Sequence, residues 1–181
     1  VLDEQPRTEL ENQPREPLVP DSFVSGLHLE GEVTEAGVAI TAEVTVTVVT
    51  PDRWLSVPLR FDQALLSDFE YSHDGPGDSA PDTKQPRTAG VSWLFRGKGV
   101  HRLRLQLLVP VRKIPEGEQL LLQLPESRFL GQLKLRIPAS VSVRQSGDVQ
   151  LSGTEKDGDD TIVTAGLTGD RRDLRWNVVS Q

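Results

Sequence analysis

Four carboxylates within six positions form the densest group of possible metal ligands in this chain. They are Glu155, Asp157, Asp159 and Asp160. Calcium takes about six to eight oxygen ligands, and acidic loops can supply them. The order of residues differs from an EF-hand loop, because no glutamate closes the loop at its last ligand position. We therefore predict a solvated turn and no metal or other cofactor, with these four side chains as the ligands if any cation binds.

Histidine is scarce, and its spacing favours no metal site. His28, His73 and His101 are the three histidines, and no His-x-His or His-x-x-x-His pair occurs. The chain has no cysteine, which excludes disulfides and thiolate metal sites. Strand parity directs His101 towards the core and His28 away from it, whereas His73 falls in a long loop. Each is expected to be a hydrogen-bonded structural residue.

Motifs for nucleophilic or phosphate chemistry are absent from the sequence. No Gly-x-Ser-x-Gly elbow occurs, and the glycines at 97 and 99 have no helix after them to form a phosphate site. A pair of glycosidase carboxylates is not excluded, but nothing selects two of the many acids. The sequence therefore predicts no catalytic residue and no enzymatic activity.

Basic side chains share the polar parity of two predicted strands. If those strands belong to one sheet, four cations lie on one face, which would suit an acidic protein or an anionic glycan. The alternative is a solvated face with glutamines between the charges. The predicted interaction surface consists of Arg102, Arg104, Lys134 and Arg136.

Aromatic residues are few, and their positions favour core packing over a sugar-binding platform. Trp93 shares a face with Phe95, and Trp176 shares one with apolar neighbours. Tryptophan normally buries most of its area, so we expect Trp54, Trp93 and Trp176 in the core.

The segment 100–137, which contains much of this chemistry, alternates apolar and polar residues almost without a break. A period of two gives strands with one face on a core and one in water. Similar patterns occur at 23–33, 38–50 and 54–61, where Pro58 indicates a sheet edge or a bulge. With the short segments after residue 140, the count is about ten to twelve strands and no long helix. The sequence predicts an all-β fold, an antiparallel β-sandwich or a flattened barrel.

Two segments have less regular patterns. Residues 63–71 fit either a helical turn or a strand. Residues 72–90 form a loop of about nineteen residues, dense in Gly, Pro, Asp and Ser, and loops of this length are usually functional or disordered.

The length, charge and composition of the chain indicate its domain boundaries and restrict the partners that it could bind. The chain has 181 residues and a net charge of −7, which argues against nucleic acid as a partner. Residues 1–21 are proline-rich and acidic and are predicted to be a linker, followed by one β-sandwich domain over 22–181. No run of about 18 apolar residues exists, so we expect no membrane span. The chain lacks methionine even at position 1, so we expect it to begin inside a longer gene product.

Two groups of motifs resemble a known type of protein. The first is WLSVPL at 54–59 with GKGVHRLRL at 97–105, and the second is LQLP at 122–125 with LKLRIP at 133–138. Together they resemble repetitive all-β segments of bacterial cell-envelope proteins of planctomycete type. The resemblance spans about residues 23–140 and implies an exported, anchored protein in the periplasm or envelope. It implies no catalytic residues.

These observations lead to one predicted function and one alternative. The first is a non-catalytic structural or interaction module of an exported, envelope-associated bacterial protein, with a protein or glycan partner. The alternative is a carbohydrate-binding domain attached to a larger enzyme, which an exposed row of aromatic rings would favour.

Overall fold

The structure is a computed structural model, and it describes nine ranges of the chain. They are 20–34, 37–50, 52–84, 90–115, 117–126, 131–139, 141–145, 151–167 and 173–180. Most of the predicted linker at 1–21 lies outside these ranges. The described residues form fourteen strands and no helix, so the predicted all-β class is confirmed. The strands are β1 Ser22–Thr34, β2 Gly37–Val48, β3 Leu55–Arg60, β4 Leu65–His73, β5 Asp78–Pro81, β6 Val91–Arg96, β7 Gly99–Pro110, β8 Arg112–Ile114, β9 Gly117–Gln123, β10 Gly131–Ile137, β11 Val141–Gln145, β12 Leu151–Asp157, β13 Asp160–Leu167 and β14 Asp173–Ser180.

The largest sheet has seven strands in the order β12-β13-β10-β1-β2-β7-β4. Alternate side chains along β2, β7 and β10 are buried, as the period of two predicts. All neighbouring strands run antiparallel except β1 and β10, which are parallel, with His28 opposite Gln132. The predicted sandwich therefore contains one parallel pair of strands. Alternation specifies which face is buried, but it does not specify the direction of a neighbour that lies far away in the sequence.

Two smaller sheets complete the sandwich, one ordered β3-β6-β5 and the other β11-β14-β9-β8. One apolar core contains residues from all three sheets, among them Leu105 of β7, Phe95 of β6 and Leu122 of β9, each 0% exposed. Stacked sheets bury their inward residues in such a shared layer.

A tight corner joins the two smaller sheets where β3 ends. Pro58 lies in an edge strand and beside a register shift, as predicted. Arg60 and Phe61 then adopt left-handed backbone angles, with φ of 63° and 50°, and the Phe61 amide donates to the Gln123 carbonyl at 2.8 Å. A β-carbon on Gly90 would lie 2.2 Å from the Arg60 carbonyl oxygen, so only glycine fits there.

The region 63–90 is more regular than its composition indicates. Residues 65–73 form strand β4, which resolves the choice between helix and strand. The predicted nineteen-residue loop contains the end of β4 and the short strand β5, which pairs with β6 from Asp78 to Pro81. Small residues form this strand because backbone hydrogen bonds to β6 need no large apolar side chains. Residues 85–89 lie outside the described ranges.

Candidate functional site

The predicted cationic surface lies on the outer face of the seven-stranded sheet, where acidic side chains pair with its three arginines. Arg104 lies between two carboxylates, with Nε 3.9 Å from Glu43 Oε1 and Nη1 3.8 Å from Glu70 Oε2. Arg102 Nη1 donates to Asp74 Oδ1 at 2.7 Å, and this hydrogen bond lowers the pKa of the Asp74 carboxyl. The four predicted cations belong to one sheet, but strands β1 and β2 separate the pair on β7 from the pair on β10.

A shallow depression of about 340 Å³ follows this face over β2, β4 and β7. Its polar lining alternates acid and base, with Glu43 and Glu70 on either side of Arg104. Each of these charges is more than half exposed, so their mutual attraction is screened by solvent. This depression is a polar sheet surface and holds no desolvated catalytic group.

Two of the four predicted metal ligands form an ion-pair cluster with Arg136, at the other end of the cationic face. Arg136 Nη2 donates to Asp157 Oδ2 at 2.7 Å, and Nη1 donates to Asp160 Oδ2 at 3.2 Å. The two hydrogen bonds raise the pKa of the Arg136 guanidinium. Asp157 and Asp160 face each other across the β12–β13 hairpin, while Glu155 and Asp159 are exposed. Within the described ranges, no group of three or more His, Cys, Asp or Glu side chains could hold a metal ion.

A histidine–tyrosine cluster lies where β4 and β7 pair. His101 is 0% exposed, as its parity predicts, and the centroid of its ring lies 4.0 Å from the centroid of the His73 ring. His73 therefore ends strand β4 as a half-buried residue, and its predicted loop position is wrong. The signal that sequence reasoning lacked is the β4–β7 register, which places these two histidines opposite each other.

Hydrogen bonds fix the orientation of both rings. His101 Nε2 donates to the Gly97 carbonyl at 2.7 Å, so Nδ1 accepts from the Tyr71 hydroxyl at 2.9 Å. Burial lowers the pKa of His101, the bond to the Gly97 carbonyl opposes this shift, and nearby His73 adds to it. His73 Nδ1 donates to the Gly75 carbonyl at 2.9 Å, and its buried Nε2 has no hydrogen-bond partner. The cluster has the properties of a structural network, since both ring nitrogens of His101 and Nδ1 of His73 are already hydrogen-bonded within the fold.

The tryptophans divide between core and surface. Trp93 is 0% exposed, as predicted, and packs edge-on against Phe69 with ring centroids 4.8 Å apart. Trp54 is 45% exposed, so the prediction that it lies in the core is wrong; the Arg96 guanidinium covers its ring at 5.5 Å. The side chain of Trp176 lies outside the described part of the structure.

The described ranges contain no helix long and apolar enough to cross a membrane.

Comparison with solved structures identifies proteins with this fold. An M1 zinc metallopeptidase from Deinococcus radiodurans, bound as a variant to a Tyr-Ser-Ala substrate, aligns over 87% of this chain with a TM-score of 0.54 and 14% identity. Leukotriene A4 hydrolase from Saccharomyces cerevisiae aligns over the same share with a TM-score of 0.50 and 10% identity. The chain spans 42% of the first protein and 29% of the second. No family model and no curated protein matches the sequence.

This likeness corrects the function predicted from the sequence. A non-catalytic module of the bacterial envelope was expected, with a carbohydrate-binding domain as the alternative, together with no enzymatic activity. The matching structures are zinc metallopeptidases and a hydrolase, so the fold occurs as part of enzymes. A fold can be part of an enzyme without containing catalytic motifs, so their absence from this sequence did not predict the kind of protein in which the fold occurs. The resemblance to planctomycete-type envelope proteins and the extracytoplasmic location are untested and stay predictions.

Zinc is the metal that these enzymes imply, and the described residues do not fit it. Catalytic zinc needs about three protein ligands and an open position. His101 uses both ring nitrogens in hydrogen bonds, and the third histidine, His28, lies on the outer face beside Glu30. We therefore derive no zinc chemistry from these residues.

Proposed function

We propose that this chain supplies the β-sandwich of a zinc metallopeptidase of M1 type, in a protein whose catalytic zinc is bound by residues outside the described ranges. The observation that supports the proposal is the common arrangement of sheets over 87% of the chain. One matching structure is described as a two-domain M1 zinc metallopeptidase, and this chain corresponds to 43% of it. The reaction class is hydrolysis of a peptide bond.

In this proposal the sandwich is a rigid support for the part of the protein that binds zinc. A single core extends through all three sheets, and its largest side chains, such as Trp93, Phe95 and Leu105, are completely buried. Closely packed cores of this kind deform little. Support of this type keeps a neighbouring active site in a fixed geometry, which catalysis requires.

The test is a peptidase assay on the complete gene product that contains this chain, expressed with an empty-vector preparation as the control. We expect it to hydrolyse aminoacyl-amidomethylcoumarins and the peptide Tyr-Ser-Ala. The chelator 1,10-phenanthroline should abolish hydrolysis, its non-chelating 1,7 isomer should not, and added zinc should restore activity. Absence of hydrolysis, or hydrolysis that resists the chelator, would overturn the proposal.

A core variant connects the activity to this chain. Leu105→Ala should lower the temperature at which hydrolysis is lost, in parallel with the melting temperature of the protein. Arg104→Ala, the adjacent exposed residue, should leave both temperatures nearly unchanged. A contaminating peptidase would respond to neither substitution.

A further inference from the structure

Strand β4 forms one edge of the seven-stranded sheet, and its exposed side chains are unlike those of an ordinary edge. Among the described residues, four large apolar side chains are exposed, and three of them lie on this strand. Leu65 is 62% exposed, Phe69 44% and Leu66 36%. The opposite edge, β12, presents exposed polar side chains such as Thr154, Glu155 and Lys156. Natural proteins usually protect their sheet edges, so an apolar edge indicates a surface that is covered by something.

The apolar side chains of β4 continue the core to the sheet edge. Phe69 pairs with the buried Leu105 in register and contacts the buried Trp93 with its ring. Leu66 pairs with Leu107, which is also buried. An added strand would therefore place its inward side chains over Phe69 and Leu66, extending the core by one strand.

Two outward side chains of the same strand are acidic, and Leu65, which pairs with Leu108, lies on the same face. Asp68 pairs with Gln106 and Glu70 with Arg104, so both carboxylates lie on the outer face. Glu70 is 75% exposed, and its nearest cation is 3.8 Å away. Directly opposed charges on paired strands stabilise a sheet, and like charges destabilise it. A strand that pairs with β4 should therefore carry basic residues on its outward side.

One backbone amide at this edge is hydrogen-bonded to a side chain, and a carbonyl of a partner strand could take the place of that side chain. The Phe69 amide donates to the Asp68 carboxylate at 2.8 Å. A carbonyl from an added strand would satisfy this amide instead and release Asp68 to pair with a basic side chain. Backbone hydrogen bonds to an open edge, with alternate side chains for specificity, are the basis of β-strand addition.

We propose that β4 is a docking edge for an extended segment of another protein, in which apolar and basic residues alternate. A second copy of this chain does not fit, because two β4 edges would bring Asp68 and Glu70 opposite the same acids. The proposal is independent of the peptidase assignment, since it depends only on the residues of β4 and their neighbours.

The test uses synthetic nine-residue peptides, which match the length of β4. The first probe alternates valine and lysine, the second alternates valine and glutamate, and both are labelled at one end for fluorescence anisotropy. We expect the complete chain to bind the lysine peptide at least about tenfold more tightly than the glutamate peptide. N-methylation of alternate amides on one edge of the lysine peptide should abolish binding, because it removes the donors that pair with β4.

Charge reversal provides the matched controls. The double variant Asp68→Lys, Glu70→Lys should bind the glutamate peptide more tightly than the lysine peptide. Glu155→Lys with Asp159→Lys makes the same charge change at the opposite edge and should leave the preference of the wild type unchanged. Thermal melts monitored by circular dichroism establish that each variant is folded, and Phe69→Ser is a second variant that should weaken both peptides. Equal binding of the two peptides, loss of preference in the Glu155/Asp159 variant, or self-association without peptide binding would overturn the proposal.

Discussion

Strands β7 and β4 are neighbours in one sheet, yet they differ in the exposure of their inward side chains and in the number of strands that pair with them. The inward side chains of β7 are 0–3% exposed, whereas those of β4 that pair with them include Phe69 at 44% and Leu66 at 36%. β7 has a strand on each side, and β4 has one on a single side. An alternating pattern therefore predicts which side chains of a strand point to the core. How deeply those side chains are buried depends on how many neighbouring strands pair with that strand.

The largest expected effect is at the centre of β7. Leu105→Ala should lower the free energy of unfolding by about 2–5 kcal/mol, because it leaves a cavity where three sheets meet. Chemical denaturation with constant m-values measures this change. A loss below about 1 kcal/mol, the size expected of an exposed residue, would contradict the burial of β7.

A smaller loss is expected for the paired residue on β4. Phe69→Ala should cost about 1–2 kcal/mol, since the ring is half exposed and loses mainly its edge-on contact with Trp93. The same denaturation experiment applies, with Leu65→Ala as the control because Leu65 is the more exposed side chain. A cost equal to that of Leu105→Ala would show that β4 is covered in the free protein.

Acid should lower the stability of the protein through His101, which lies where β4 pairs with β7. The pKa of His101 is lowered by burial in the folded state, so the unfolded chain binds more protons below about pH 6.5. The contribution of neutral His101 to the free energy of unfolding is therefore fully present above about pH 6.5. It is lost as the pH falls through the folded-state pKa. His101→Phe should reduce this decline in melts between pH 8 and pH 5. An unchanged decline would assign the acid sensitivity to other groups.

On the outer face, Arg104→Ala should cost less than about 1 kcal/mol, because both of its ion pairs are exposed and screened. Added salt should make the difference between variant and wild type smaller still. A cost that exceeds this range and persists in high salt would show that the ion pairs are desolvated.

Calcium should have no effect on stability. Asp157 and Asp160 are hydrogen-bonded to Arg136, and the remaining acids of the hairpin are exposed. A folded-state ligand raises the melting temperature with its concentration, so a melt with and without millimolar calcium is the measurement. A rise that disappears in Asp157→Asn would contradict the predicted absence of a metal and establish a calcium site in this hairpin.

Sequence alone predicted the faces of strands well, because a period of two depends only on neighbouring residues. Leu103, Leu105, Leu133 and Leu135 are buried where the alternation places them, and so is His101. The contact of His73 with His101 was missed because it depends on pairing between strands that are distant in the sequence. The exposure of Trp54 was missed because Trp54 precedes β3 and has no strand parity of its own. The likeness of the fold to part of the M1 metallopeptidase structures was missed for a related reason: the arrangement of sheets has no signature in local spacing.

The parallel pairing of β1 with β10 has a consequence for how the chain folds. Each of its contacts joins residues about a hundred positions apart, such as Leu29 with Leu133. Among the described strands it is the only hydrogen-bonded link between the group β4-β7-β2-β1 and the group β10-β13-β12. Closing the long loop between β1 and β10 costs conformational entropy before the contacts between these strands can stabilise it. Non-local strand pairs therefore form slowly. The two groups should therefore form first and join late, leaving the facing edges of β1 and β10 open to other chains until they meet.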